Sequence, residues 1–470
     1  MDGVIAAAHI EWTDRTRNMG IPLSRRAFVR VTAQTTAAAA ASLLASSPGL
    51  ARGYAAPIPT YYISNTGNDS NDGLSQQSAW ATIQKANDSL PQDRSLVLFR
   101  RGETFYGEFS LPAGCEVGAY GTGAKPTLTL YKLLNKPSGW HEHSPGIWKI
   151  DLGSPATHDG YNTTNDANIG FLLVDQAVKP ALKFDLSELQ LPWDFFCDRS
   201  NHTLYVKASE NPTTLASEIK AAPHGDGTGV AVSCPEHGNN IHDIHVTGSG
   251  GHGIRGLGSD IQIHDCLIDY IGGSILDIAD GHTRFGNGIE SWINVSHWTI
   301  ENNEIAHVYD VAWTAQGGDA DDAPVFWEDL VLRDNYIHDC GQTVEFWSQS
   351  SNAASPGFVR VLVEGNRCER AGYGAFSEVR PDQNVRVQLL TYLLQTPVDI
   401  TIQNNVFDDA YAAFSYHATE PPAGYVTRNN KILMRAGRLM EFKRPEAVEQ
   451  FAEWQAITGR EVGSTISVLH

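Results

Sequence analysis

The stretch Asp329-Leu330-Val331-Leu332-Arg333-Asp334-Asn335-Tyr336-Ile337 carries a period-two apolar run, a polar turn ending in Asn, and a second apolar anchor. The chain repeats this pattern on both sides. Copies read Asp260-Ile261-Gln262-Ile263-His264-Asp265-Cys266-Leu267-Ile268, His297-Trp298-Thr299-Ile300-Glu301-Asn302-Asn303-Glu304-Ile305, Arg360-Val361-Leu362-Val363-Glu364-Gly365-Asn366-Arg367-Cys368 and Asp399-Ile400-Thr401-Ile402-Gln403-Asn404-Asn405-Val406-Phe407, with a degenerate copy at Arg428-Asn429-Asn430-Lys431-Ile432. The registered positions Cys266, Asn303, Asn335, Asn366, Asn405 and Asn430 stand 37, 32, 31, 39 and 25 residues apart. Steps of that size, filled with strand-length alternation and no helical period, predict a solenoid of short stacked strands. The Asn column has a mechanical reading: Asn tolerates the left-handed backbone of a sharp turn, and its amide reaches the next Asn along the stack. A β-sandwich has no reason to repeat one turn residue in one register. The unequal steps place insertions in loops on one face of the solenoid, often the binding face.

Composition agrees with an all-β chain. Of 470 residues, 43 are Gly, 9% are aromatic and 19% are charged, which fits a turn-rich domain better than a helical bundle or a disordered tail. A formal net charge of -20 excludes a general positive field for nucleic acid or anionic membrane. Near the N-terminus, Ser24-Arg25-Arg26-Ala27-Phe28-Val29-Arg30 precedes a short Ala-rich run and the small-residue site Gly53-Tyr54-Ala55, the pattern of a twin-arginine export signal. No other apolar stretch has the length to span a bilayer, so the mature protein is expected outside the cytoplasm. Six cysteines permit disulfides in that setting, yet Cys266 and Cys368 fall at repeat positions that other copies fill with Asn or Ile, which reads as core packing. The expected organisation is a leader over 1–55, an N-terminal cap with first coils and an insertion over 56–235, the β-helix core over 236–445, and a C-terminal segment over 446–470. A solenoid covered at both ends stands as a monomer.

The segment Tyr61-Tyr62-Ile63-Ser64-Asn65-Thr66-Gly67-Asn68-Asp69-Ser70-Asn71-Asp72-Gly73-Leu74-Ser75, with Trp80-Ala81-Thr82-Ile83-Gln84-Lys85-Ala86, resembles the opening of secreted pectate-lyase-like right-handed parallel β-helix proteins. Leu98-Phe99-Arg100-Arg101-Gly102-Glu103-Thr104-Phe105, Ala119-Tyr120-Gly121-Thr122-Gly123-Ala124-Lys125-Pro126, Pro192-Trp193-Asp194-Phe195-Phe196-Cys197-Asp198 and Phe451-Ala452-Glu453-Trp454-Gln455 continue it. The resemblance implies a right-handed parallel β-helix with a short N-terminal capping helix. It implies no single reaction, because that superfamily holds lyases, hydrolases, epimerases and non-catalytic proteins. Read from the residues alone, 68–73 is a turn cluster and 81–90 is a short amphipathic helix over the open end of the solenoid.

Chemistry is sought on the strand that follows each Asn turn. Counted from the second apolar anchor, position eight carries Trp313, Glu345, Phe376 and Ser415, and position ten carries Ala315, Trp347, Glu378 and His417. Outward carboxylates and aromatics suit a carbohydrate, whose hydroxyls take hydrogen bonds and whose apolar face stacks on rings. The candidate catalytic residues are Glu345, Glu378, Glu290 and Asp310; the candidate substrate-binding residues are Trp313, Trp347, Arg380, Tyr416 and His417. One coil and two positions between Glu345 and Glu378 predict a Cα separation of about 8 Å, suited to an acid and a base flanking a water. The leading expectation is therefore a glycoside hydrolase acting on a polysaccharide without a cofactor. A lyase is the alternative, needing a cation and a base such as Arg380, His417, Lys443 or Arg444. Residues 345–352 loosely resemble a strand of alginate lyase and chondroitinase B-like enzymes, with Gln349 near the place of their catalytic lysine, which weighs against that mechanism. Calcium has two candidate sites, 68–73 and the loop bearing Asp319, Asp321 and Asp322. A non-catalytic glycan-binding β-helix is the third reading.

Overall fold

The structure is a computed structural model that describes residues 58–162, 167–225, 229–276, 281–318, 323–382, 385–417 and 421–470. The export signal and the acidic loop with Asp319, Asp321 and Asp322 lie outside the described residues. From Ile58 to His470 the chain forms one unit.

Three ten-stranded sheets dominate it, and the chain visits them in turn. Face I holds strands such as Val295–Glu301 and Phe326–Arg333; face II holds Glu304–Val308 and Tyr336–His338; face III holds Val311–Gly318 and Gln342–Gln349. Neighbouring strands within each face pair in parallel, apart from the last pair of face III, Leu439–Glu441 with Glu446–Ala447; examples are Trp298 with Leu330, Ile305 with Ile337, and Trp313 with Val344. The fold is a right-handed parallel β-helix, the sense expected of parallel crossovers. Period-two alternation decides which residues enter it: Trp298, Ile300, Ile305 and Ile337 point inward and are fully buried, while their neighbours face out.

The Asn column is a hydrogen-bonded ladder. Asn303 Nδ2 donates to Asn335 Oδ1 at 3.0 Å, Asn335 to Asn366 at 3.0 Å, Asn366 to Asn405 at 2.9 Å and Asn405 to Asn430 at 3.1 Å. All five side chains are buried. The left-handed conformation, however, belongs to the preceding residue: Asn302, Asp334, Gly365, Asn404 and Asn429 have φ between 54° and 69°, and the ladder residues themselves do not. The division of labour is physical. The turn needs one residue tolerant of positive φ, and a separate amide directed inward to bond along the stack.

Coils extend beyond the readable repeats. Face I begins at Thr60–Ile63, and face II ends at Thr465–Leu469, so the segments at both ends of the expected core also belong to the solenoid. The helix expected over 81–90 spans Ile83–Ser89, capped by Thr82, whose hydroxyl accepts from Lys85 N; Ile83 and Ala86 join the core. At the other end, helix Phe451–Thr458 buries Phe451 and Trp454 against the last coils. Between face II strand Thr127–Thr129 and face III strand Val230–Cys234 an insertion builds two further five-stranded, mainly antiparallel sheets, with a separate core around Trp140, Leu172, Phe195 and Val206. All six cysteines are buried and free, as the core-packing reading of Cys266 and Cys368 expects.

Candidate active site

Face III brings the chemistry together. Its pairing sets Arg255 beside Glu290, Glu290 beside Thr314, Thr314 beside Glu345, Glu345 beside Leu390 and Leu390 beside Ser415. Glu290 and Glu345 thus share one outward column, two coils and about 9.6 Å apart at Cα. Trp347, beside Gln316 and two residues further along its strand than Glu345, is part-exposed and near Trp292, with ring centroids 6.3 Å apart. Arg255 lies over the Trp292 ring at 5.0 Å.

Two expected members leave the site, Trp313 because of turn length and Tyr416 because it alternates with the outward Ser415. Val311 stands six positions after Ile305, but its counterpart Gln342 stands five positions after Ile337. A one-residue slip reverses the direction of every side chain. Trp313 therefore pairs with Val344, points inward and is fully buried, and the outward place opposite Glu345 falls to Thr314. Tyr416 is likewise a core residue, packed on Phe414 and beneath Arg460. Neither ring is available to stack on a sugar.

Glu378 corrects the proposed pair. The chain does not return to face III at this point but forms a short helix, Gly374–Glu378, and the strand beside Gln342–Gln349 is Val387–Leu394. Glu378 is exposed on that helix, outside the strand register in which an 8 Å separation from Glu345 was expected. The helix displaces the following strand; the long step of 39 residues from Asn366 to Asn405 signals an insertion there but not that it is a helix.

Asp310, which immediately precedes face III strand Val311–Gly318, is the carboxylate whose charge acts on Glu345. Its Oδ1 accepts from Arg380 at 2.8 Å and from Gln342 Nε2 at 3.0 Å. Arg380 is buried; it also donates to the Tyr309 carbonyl and pairs with Asp382 at 3.0 Å, so its guanidinium clamps two carboxylates. Burial raises Asp310 above the ordinary carboxylate range, with Arg380 opposing and Asp382 reinforcing. Burial also pushes Glu345 up, to about 8, and the negative charge of Asp310 adds to the shift. Among the described residues nothing hydrogen-bonds the Glu345 carboxyl group, so at neutral pH it is a protonated acid on a part-exposed wall.

Glu290 behaves oppositely. Burial disfavours its charge, yet His252 and Arg255 outweigh burial and hold it below the ordinary range. Arg255 Nε lies 2.5 Å from its Oε2, Gln316 donates to Oε1 at 2.6 Å, and Asn287 donates at 3.2 Å. His252 is pushed down to about 4 by its own burial, which leaves Arg255 as the permanent countercharge. Glu290 is only 2% exposed, so it acts on the wall as a fixed anion that orients Gln316 and Arg255. His417, further along face III, lies tilted against the Tyr392 ring at 4.5 Å; burial and Lys443 push it down to about 4, making it a neutral imidazole.

Residues not anticipated from sequence, Arg255, Trp292, Gln316, Asp382 and Tyr392, share one property. Each is placed by its coil neighbours, and none by a local motif.

No protein-family model matches the sequence, and neither does any curated protein. Among solved structures, the chain is similar to a glycoside hydrolase at 8% identity, covering 88% of this chain and 96% of that one, with a TM-score of 0.44. It is similar to an alginate lyase from Paenibacillus sp. str. FPU-7 at 9% identity, covering 77% and 93%, TM-score 0.33. A Family 28 exopolygalacturonase from Yersinia enterocolitica is 9% identical, covering 80% and 71%, TM-score 0.29.

Proposed function

We propose that the chain is an exported glycoside hydrolase that cleaves a polysaccharide on face III, with Glu345 as general acid and Asp310 as the carboxylate that activates water. The observation that carries this reading is the Glu345 carboxyl, held protonated to about 8 by burial and by the charge of a second carboxylate that has its own guanidinium. Burial raises both groups, but only Asp310 is ion-paired with Arg380, and that asymmetry assigns Glu345 as acid and Asp310 as base. Glu345 delivers its proton to the glycosidic oxygen as the bond to the anomeric carbon breaks. Asp310 engages Arg380 and Gln342 through Oδ1, which leaves Oδ2 to take the proton of an attacking water. Trp347 and Trp292 supply rings for the apolar face of a sugar, and Gln316 and Arg255 supply donors for its hydroxyls. The mechanism draws on side chains alone, and the twin-arginine leader routes the chain to where polysaccharide is found.

A second reading rests on His417. A neutral imidazole beside Tyr392 suits proton abstraction next to a uronate carboxylate, the first step of β-elimination. One experiment separates the readings: incubate the protein with a panel of neutral and uronate polysaccharides, and follow both reducing ends and the ultraviolet absorbance of an unsaturated uronate. Reducing ends without absorbance support hydrolysis. Both signals together overturn it in favour of elimination, and neither signal favours a binding module.

A further inference from the structure

A second concave site lies away from face III. The outer surface of face II in the first coils and the underside of the insertion enclose a cleft of about 440 Å³, within the size range of ligand sites. Its floor is two outward columns set by strand register. Thr104, Thr127 and His245 align in one; Tyr106, Thr129, Thr247 and Asp269 align in the other. Its roof comes from the insertion, where Lys220 stands on strand Ile219–Pro223 and Leu173 on strand Ile169–Val174.

The lining is rich in hydroxyls and rings, and its charges are matched. His245 Nε2 lies 2.7 Å from Asp269 Oδ1, and Lys220 Nζ lies 2.9 Å from Glu218 Oε1 and 5.6 Å from the centroid of the Tyr131 ring. Tyr106 is 37% exposed, and part-exposed Tyr270, stacked on His307 at 4.8 Å, extends the aromatic rim. A phosphate or a uronate would meet acids that already hold the available cations. An apolar ligand would leave the threonine hydroxyls and ion pairs desolvated. A sugar meets both demands, with hydroxyls for the polar columns and C–H faces for the tyrosines.

We infer that this cleft binds an uncharged oligosaccharide, separately from the chemistry proposed for face III. It would hold a length of glycan against the first coils while face III acts elsewhere on the chain. The test uses the full-length protein as Glu345→Gln, so that no probe is cleaved, titrated calorimetrically with cellohexaose, xylohexaose and mannohexaose, with hexagalacturonic acid as the charged control. At least one neutral hexasaccharide should bind, and Tyr106→Ala and Lys220→Ala should each weaken it by about tenfold. Hydrogen exchange on the same Glu345→Gln protein with its cleft unaltered should show saccharide-dependent protection over 104–106, 127–129, 218–220 and 245–249, a measurement that needs no cleft variant to fold. Protection confined to face III strands overturns the inference, as does binding of hexagalacturonic acid alone or of no probe. A protein inactive on every polysaccharide that still shows the cleft protection would remove the hydrolase reading and leave this one standing.

Discussion

Glu345 and Asn335 are placed by the same stacking, yet the first, part-exposed, is held out of its ordinary state and the second, buried, is fully satisfied. Glu345 keeps its proton to about 8, whereas in the unfolded chain it titrates as an ordinary glutamate. Between those pH values only the unfolded chain can ionise it freely, so its contribution to stability declines as pH rises from the acid range and is fully lost above about 8. Replacing it by Gln removes that loss: the thermal midpoint of Glu345→Gln should match the parent at acid pH and exceed it at alkaline pH. Turnover should fall by roughly 10²–10⁴-fold, since no proton reaches the leaving group. In the parent, activity should fall as pH climbs through about 8, and initial rates across pH read this directly. Asn335 accepts from Asn303 N and Nδ2, and donates to the Ile300 and Arg333 carbonyls as well as to Asn366. Asn335→Ala strands several of these buried groups and should cost at least about 2 kcal/mol, measured as a lower denaturant midpoint at unchanged slope.

The coil and the insertion are the elements that make the site. Arg284 ties them together: its Nε donates to the Gly273 carbonyl and its terminal nitrogen to the Gly170 carbonyl, while its guanidinium lies 4.6 Å from the centroid of the Tyr309 ring. Arg380 packs on the same ring at 5.1 Å, and Tyr309 precedes Asp310 in the chain. Phe171 of the insertion meets Phe376 edge-on at 5.1 Å. The insertion therefore braces the turn that carries the proposed water-activating carboxylate. Gly170 permits the close approach, because a Cβ there would stand 2.2 Å from the Gly272 carbonyl oxygen. Gly170→Val should lift the insertion off this turn. The expected result is faster proteolysis between residues 130 and 225, together with a lower kcat; unchanged proteolysis would show that the junction is not what holds the insertion.

Over the whole molecule, both ends of the solenoid are closed and the thiols are shut in. Helix Ile83–Ser89 covers one end, and helix Phe451–Thr458 packs on the other, where Asn430 ends the ladder on Glu461 at 2.9 Å. Burial raises the thiol pKa of Cys115 to about 11 and of Cys266 and Cys340 to about 12, so they present little thiolate at neutral pH. Iodoacetamide should leave the native thiols of 58–470 unmodified and label all six after denaturation. A reducing agent should not move the thermal midpoint. A shift on reduction would mean that a disulfide, absent among the described residues, carries part of the stability.

What could be read from the chain alone was whatever repeats locally: the strand alternation, the Asn register and the capping helix, because each depends on neighbours a few residues apart. Glu345, Trp347 and Asp310 were legible as candidates for the same reason. The phase of the wall was not. A single extra residue between Ile305 and Val311 turned Trp313 inward, and a helix in place of a strand removed Glu378 from the register. The chemistry was not legible either. The state of Glu345 depends on Asp310, Arg380 and Asp382, which reach it from other coils and turns. Local pattern settles that strands stack, whereas the lengths of the turns between them decide which side chains meet, and only the resulting enclosure sets their charge.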